Sequence, residues 1–271
     1  MYLDRLARRA GMIFAAAAVA LTGSVASAQD SFKIHTAAGI QSEPALTVQL
    51  QNDDGPTFEV RVPELLVQMV REAEKGRVAL IPALGHVVVL PMPDFALFSR
   101  ELPVISEIDK PRQRTLDLLP PGSNERNFKR VHGVSVRKVQ PGATAEQDAR
   151  NGLEGLQSVC LPDMYGYQYD ERSESGRGVL LTACANFNST VARELEASIR
   201  GTVDISLSYV IDDTAFRMYS IHRSGSWNPD ESGPPLGEEE VLAVVELLEK
   251  TMIFEDIDES ALKAAFLMAE N

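Results

Sequence analysis

Residues 203–222 read VDISLSYVIDDTAFRMYSIH. Val203–Ile211 and Ala215–His222 are both strand-like, and Asp212, Asp213 and Thr214 between them form a turn, because an Asp side chain bonds its own local backbone. That hairpin is one antiparallel pair, and the order of elements around it extends the reading to the sheet. Working upstream, Tyr165–Tyr169, Gly178–Cys184 and Val131–Val139 read as further strands. Between them Thr144 and Gln147 make a capping box that opens a helix, with Ala149, Leu153, Leu156 and Cys160 on one face. Gly152 and Gly155 weaken that helix by about 1 kcal/mol each relative to Ala, which suggests close packing against a sheet. Downstream, Glu238, Glu239 and Glu240 favour a helix start, and Val241, Val244, Val245, Leu248 and Met252 follow at helical spacing. A second short helix, capped by Asp258, carries Leu262, Ala265 and Phe266.

The N-terminal part is also β-rich. Leu46–Leu50 and Phe58–Val62 alternate around a turn at 52–56, a helix over 63–75 starts at Pro63, and Val78–Ile81 and Val87–Leu90 add two strands. Residues 91–122 hold six prolines and a charged run from Glu107 to Arg114, and they read as a linker. The expected fold class is α+β, an antiparallel sheet with helices packed on it. Its expected divisions are a signal peptide over 1–28, a β-rich subdomain with one helix over 29–110, and an α+β domain over 111–271.

The start of the chain predicts export. Arg5, Arg8 and Arg9 precede an apolar stretch from Met12 to Leu21, and Ala26, Ser27 and Ala28 supply the small residues of a cleavage site after Ala28. No Cys follows to accept a lipid, and Ala10, Gly11 and Met12 after the Arg pair favour the general secretory route over the twin-arginine one. The expected location is the periplasm or beyond. No apolar run reaches the ~20 residues of a membrane-spanning helix, so no membrane insertion is expected after cleavage. The 271 residues carry a formal charge of −13, and the first 28 contribute three Arg and one Asp, so their loss leaves −15. Such an acidic protein repels phosphate backbones, and no Lys/Arg cluster offers itself to a nucleic acid. A basic protein, a cationic peptide, a divalent cation or a small molecule is allowed as partner.

Cys160 and Cys184 are the two cysteines of the chain, and an even count in an exported protein reads as a structural disulfide. A redox pair would want C-x-x-C spacing, and a metal site more soft ligands nearby. Neither pattern is present.

One resemblance goes further. Pro120, Pro121 and Gly122, then Phe128, a strand, a helix ending at Cys160, a strand ending at Cys184, and a late strand reaching Arg223 and Trp227 before the final helix resemble a loose group of uncharacterised secreted bacterial proteins. Their element order is similar to the Mog1p/PsbP-like α/β/α sandwich. The resemblance spans residues 113–255, with Phe128 where Trp is more usual, and implies a binding or assembly module without bringing any catalytic residue.

Chemical motifs are sparse. No G-x-S-x-G elbow, S-x-x-K pair or phosphate-cradling glycine loop occurs, and His35, His86, His132 and His222 stand singly. The acids from Glu255 to Glu259 lack the spacing of a calcium loop. No metal or other cofactor is expected. Tyr165, Tyr167 and Tyr169 fall on one face of a strand, as packing residues or as a recognition surface, and His222, Arg223 and Trp227 cluster at a strand end. The expected function is a non-enzymatic periplasmic binding or accessory protein using these residues. Two alternatives are a hydrolase centred on His222 and Arg223, and an immunity-like inhibitor of a basic exported protein.

Overall fold

A computed structural model describes residues 20–21, 31–51, 57–99, 101–172, 177–228 and 234–270. In chain order its elements are β1 (Ala20–Leu21), β2 (Ser31–Thr36), β3 (Gly39–Gln51), β4 (Thr57–Pro63), α1 (Glu64–Glu74), β5 (Val78–Ala83), β6 (His86–Pro91), α2 (Asp94–Leu97), β7 (Val104–Lys110), β8 (Gln113–Leu119), β9 (Arg130–Lys138), α3 (Ala145–Val159), β10 (Tyr165–Arg172), β11 (Arg177–Cys184), α4 (Ser189–Glu194), β12 (Gly201–Ile211), β13 (Thr214–Ser224), α5 (Glu238–Glu249), β14 (Met252–Phe254) and α6 (Glu259–Ala269). The protein is therefore mixed α and β, mostly strand, with two antiparallel seven-stranded sheets among the described residues. Residues 1–28, read from the sequence as a signal peptide, lie outside those residues apart from β1, as does the turn expected at 52–56. Among the described residues no helix is long and apolar enough to cross a membrane.

The chain divides into two units, Met1–Met92 with Met252–Asn271, and Pro93–Thr251. In the first, β3 pairs with β2 along its first half and with β4 along its second. The three-residue β14 lies between β2 and β6, with Ile253 opposite both His35 and Val88. Helices α1 and α6 pack together and close a core of Ile34, Val62, Leu66, Val89, Phe254 and Ala265. Pro63 occupies the N-cap of α1 and Asp258 that of α6, where its carboxylate accepts the Ala261 N–H at 2.7 Å.

The second unit carries the sheet β10-β11-β12-β13-β9-β8-β7. Asp212 and Asp213 turn the central hairpin as the sequence predicts, with Asp212 at φ 52° and Ile211 paired to Thr214. The capping box of α3 is present, Thr144 Oγ1 accepting from Gln147 N at 3.2 Å and Gln147 Oε1 accepting from Thr144 N at 3.1 Å. Residues alternate between faces along each strand, so even-numbered residues of β12 share one face and odd-numbered ones the other. Helix α3 meets the even face, where Asp148 accepts hydrogen bonds from Ser208 Oγ at 3.0 Å and Arg137 Nε at 3.1 Å. Helix α5 meets the odd face, where Glu249 reaches Arg177, the register partner of Tyr209. The Cys160–Cys184 disulfide, Cα atoms 5.9 Å apart, joins the end of α3 to the end of β11.

Two expectations are corrected here. Residues 91–122 are not a linker, because β7 and β8 form a hairpin around Pro111 and Arg112 that extends the second sheet through β9. Pro103 and Pro111 flank β7 rather than interrupting it, which an edge strand tolerates. The units consequently part at Met92 and Pro93 instead of residue 110, and the last helix returns to the first unit.

Candidate functional site

The even face of the second sheet is polar where α3 leaves it uncovered. Asp117 on β8, Gly133 on β9, Tyr219 on β13 and Ser206 on β12 stand in one register row. Gly133 makes the row possible. A Cβ there would sit 2.6 Å from Leu116 O, 2.7 Å from Asp117 Oδ1 and 3.0 Å from Tyr219 Cζ, so the missing side chain is the space through which the Tyr219 hydroxyl reaches Asp117 and donates to its Oδ1. On the other side of Tyr219, Arg217 Nη2 donates to Asp204 Oδ2 at 2.9 Å. Asp204 Oδ1, Ser206 Oγ and Arg217 Nε are buried without a hydrogen-bond partner among the described residues. Each such group costs roughly 1–3 kcal/mol, so a face selected for stability alone would be apolar here.

Asp117, Asp204, Arg217 and Tyr219 line a cleft of about 440 Å³, together with Glu125 and Arg223 and with Leu119, Val131 and Ile221 of the same sheet face. That volume falls within the roughly 300–1,000 Å³ of small-molecule sites. The Arg223 guanidinium lies 3.6 Å from the centroid of the Phe128 ring and donates from Nη1 to the Glu125 carbonyl at 3.1 Å. Burial sets the electrostatics. It raises the carboxyls of Asp117 and Asp204 above the usual range, against the Tyr219 hydrogen bond and the Arg217 charge respectively, and the Glu125 charge raises Asp117 further. Burial and the neighbouring Asp117 raise the Tyr219 phenol strongly, and burial lowers Arg223 to about 10. No family model and no curated protein matches this chain.

The residues singled out from the sequence are distributed over several places. Arg223 belongs to the cleft. His222, its strand neighbour, points to the opposite face, where its ring nitrogen lies 3.1 Å from Ser220 Oγ, and burial with the facing Arg130 lowers its pKa to about 4. Consecutive strand residues cannot share one face, so the structure does not bring His222 and Arg223 together. Trp227 packs on Gly201, whose hypothetical Cβ would lie 2.3 Å from its ring. Tyr165, Tyr167 and Tyr169 line the edge strand β10, with Tyr165 and Tyr167 exposed, Gln157 Nε2 donating to Tyr165 Oη at 3.2 Å, and Tyr169 covering Gly178. Among the described residues no group of three His, Cys, Asp or Glu is placed to hold a metal ion.

Asp117, Asp204, Arg217 and Tyr219 escaped the sequence reading because they come from three strands up to about a hundred positions apart. A signal was present nevertheless. Asp204, Ser206 and Ser208 alternate with Ile205, Leu207 and Tyr209 through the longest hairpin arm, which marks a sheet face carrying something other than core.

Proposed function

We propose that the chain is an exported, non-enzymatic periplasmic binding protein whose small-molecule ligand occupies the cleft of the second unit. The observation that carries this reading is the half-buried polar cluster of Asp117, Tyr219, Arg217 and Asp204 inside a 440 Å³ cleft with an apolar floor. The secretory features before Ala28 and the disulfide support export, and the likeness of 113–255 to binding modules of the Mog1p/PsbP-like kind supports binding over catalysis. A thermal-shift screen of the purified chain against amino acids, sugars, organic acids, amines and nucleosides tests it. A rise in Tm with one class is expected, lost in Ser106→Trp, which places an indole in the cleft. No rise with any class, or a rise that survives Ser106→Trp, overturns it.

The hydrolase alternative draws support from the Ser220–His222 contact, but Ser220 is only 7% exposed. The inhibitor alternative rests on the acidic charge with the exposed Tyr165 and Tyr167, and predicts a salt-sensitive complex with a basic protein.

A further inference from the structure

The cleft holds charges of both signs, and not all of them neutralise one another. Among the described residues the side-chain hydrogen bond of Asp117 goes to the neutral Tyr219 hydroxyl, and that of Arg223 to the Glu125 main-chain carbonyl. Arg217 Nη2 pairs with Asp204 Oδ2, and Glu107 with Arg114 outside the cleft. What remains is an anionic pair, Asp117 with Glu125, and one guanidinium, Arg223, held on the Phe128 ring. Along β13 Arg223 stands four residues beyond Tyr219, about 13 Å of extended chain. Ile221 and its register partner Val131 fill the interval, packed with Leu119 and Phe128.

We infer that the cleft takes a zwitterion with an apolar middle, a short peptide whose ammonium group sits against Asp117 and Glu125 and whose carboxylate sits on Arg223. A lone cation would leave Arg223 without a counter-ion, and a lone anion would add to the repulsion between the two acids. A zwitterion neutralises both ends at once and covers the apolar floor. Burial already pushes Asp117 and Arg223 towards their neutral forms, so each end gains from an ionic partner. The inference rests on the cleft being the binding site.

The test is calorimetric titration of the full chain with leucine, trileucine, N-acetyl-trileucine and trileucine amide. Binding of trileucine is expected, with at least tenfold weaker binding of both blocked peptides and of leucine, whose ammonium and carboxylate share one carbon and cannot reach both ends. Glu125→Gln should narrow the penalty for N-acetylation, Arg223→Gln should remove the penalty for amidation, and Arg223→Lys should restore it. Far-UV circular dichroism confirms that each variant is folded, and the exposed Glu125 keeps the test valid if Arg223→Gln unfolds. Blocked peptides that bind as well as trileucine overturn the inference. So does the absence of trileucine binding: if another compound class is then lost in Ser106→Trp, the cleft reading stands alone, and if none is, both fall.

Discussion

Gly133 shows how much a single absent side chain determines. Its Cα is where β8, β9 and β13 allow a tyrosine to cross a strand and meet a carboxylate. Gly133→Ala should cost about 1–3 kcal/mol through overpacking and should separate Tyr219 from Asp117, seen as a lower urea midpoint together with a tyrosine absorbance that titrates at lower pH. An unchanged midpoint would refute this account of the row. His222 gives a second expectation, through pH. Its folded pKa of about 4 lies below the ordinary 6.5, so the unfolded chain binds the proton more tightly. The stability His222 contributes is whole above pH 6.5 and is drained as pH falls towards 4. Arg130 faces it across the β9 register and Glu240 acts weakly in the opposite sense. His222→Gln should lose less stability than the parent between pH 7 and pH 4.5 in urea titrations, and equal losses would remove His222 from the explanation. At this scale the sequence shows residue types but not partners: it marks Arg223, yet nothing local says that Phe128 lies under it.

Elements were easier to read where their own chemistry declares them. Thr144 and Gln147, Asp258, and the Asp212–Asp213 turn each fix a boundary within four residues of chain, and each stands where the sequence places it. The β7–β8 hairpin was hidden because Pro103, Pro111 and a charged run imitate a linker, while its pairing partner β9 lies beyond another loop. Strand β14 was absorbed into the end of a helix, since three residues carry no period of their own. What local signals omit is the tie between elements. Asp148 is the example, a 5% exposed carboxylate in the first turn of α3 that binds Arg137 of β9 and Ser208 of β12. Asp148→Ala should destabilise the protein by roughly 1–3 kcal/mol, because it leaves Ser208 and part of Arg137 unpartnered. Denaturant unfolding measures this, and a loss under ~0.5 kcal/mol would mean that α3 is held by its apolar face and disulfide alone.

At the scale of the molecule, the second unit is an insertion within the first. Met252 pairs with Val89, so the chain leaves β6 and returns in β14 on adjacent strands. Replacing residues 93–251 by a short Gly/Ser linker should therefore leave the first unit folded, whereas truncation before Met252 should abolish its cooperative unfolding by removing the strand between β2 and β6. Thermal denaturation followed by circular dichroism distinguishes the two constructions, and loss of folding in both would show that the first sheet depends on more than its own strands. This nesting also brings time into the fold. A ribosome makes the strands from β2 to β6 first and then the whole second unit, and only afterwards delivers the three residues that seal the centre of the first sheet. Until then β2 and β6 lack the strand that joins them, so this half of the protein cannot complete its sheet before the last of its chain has arrived.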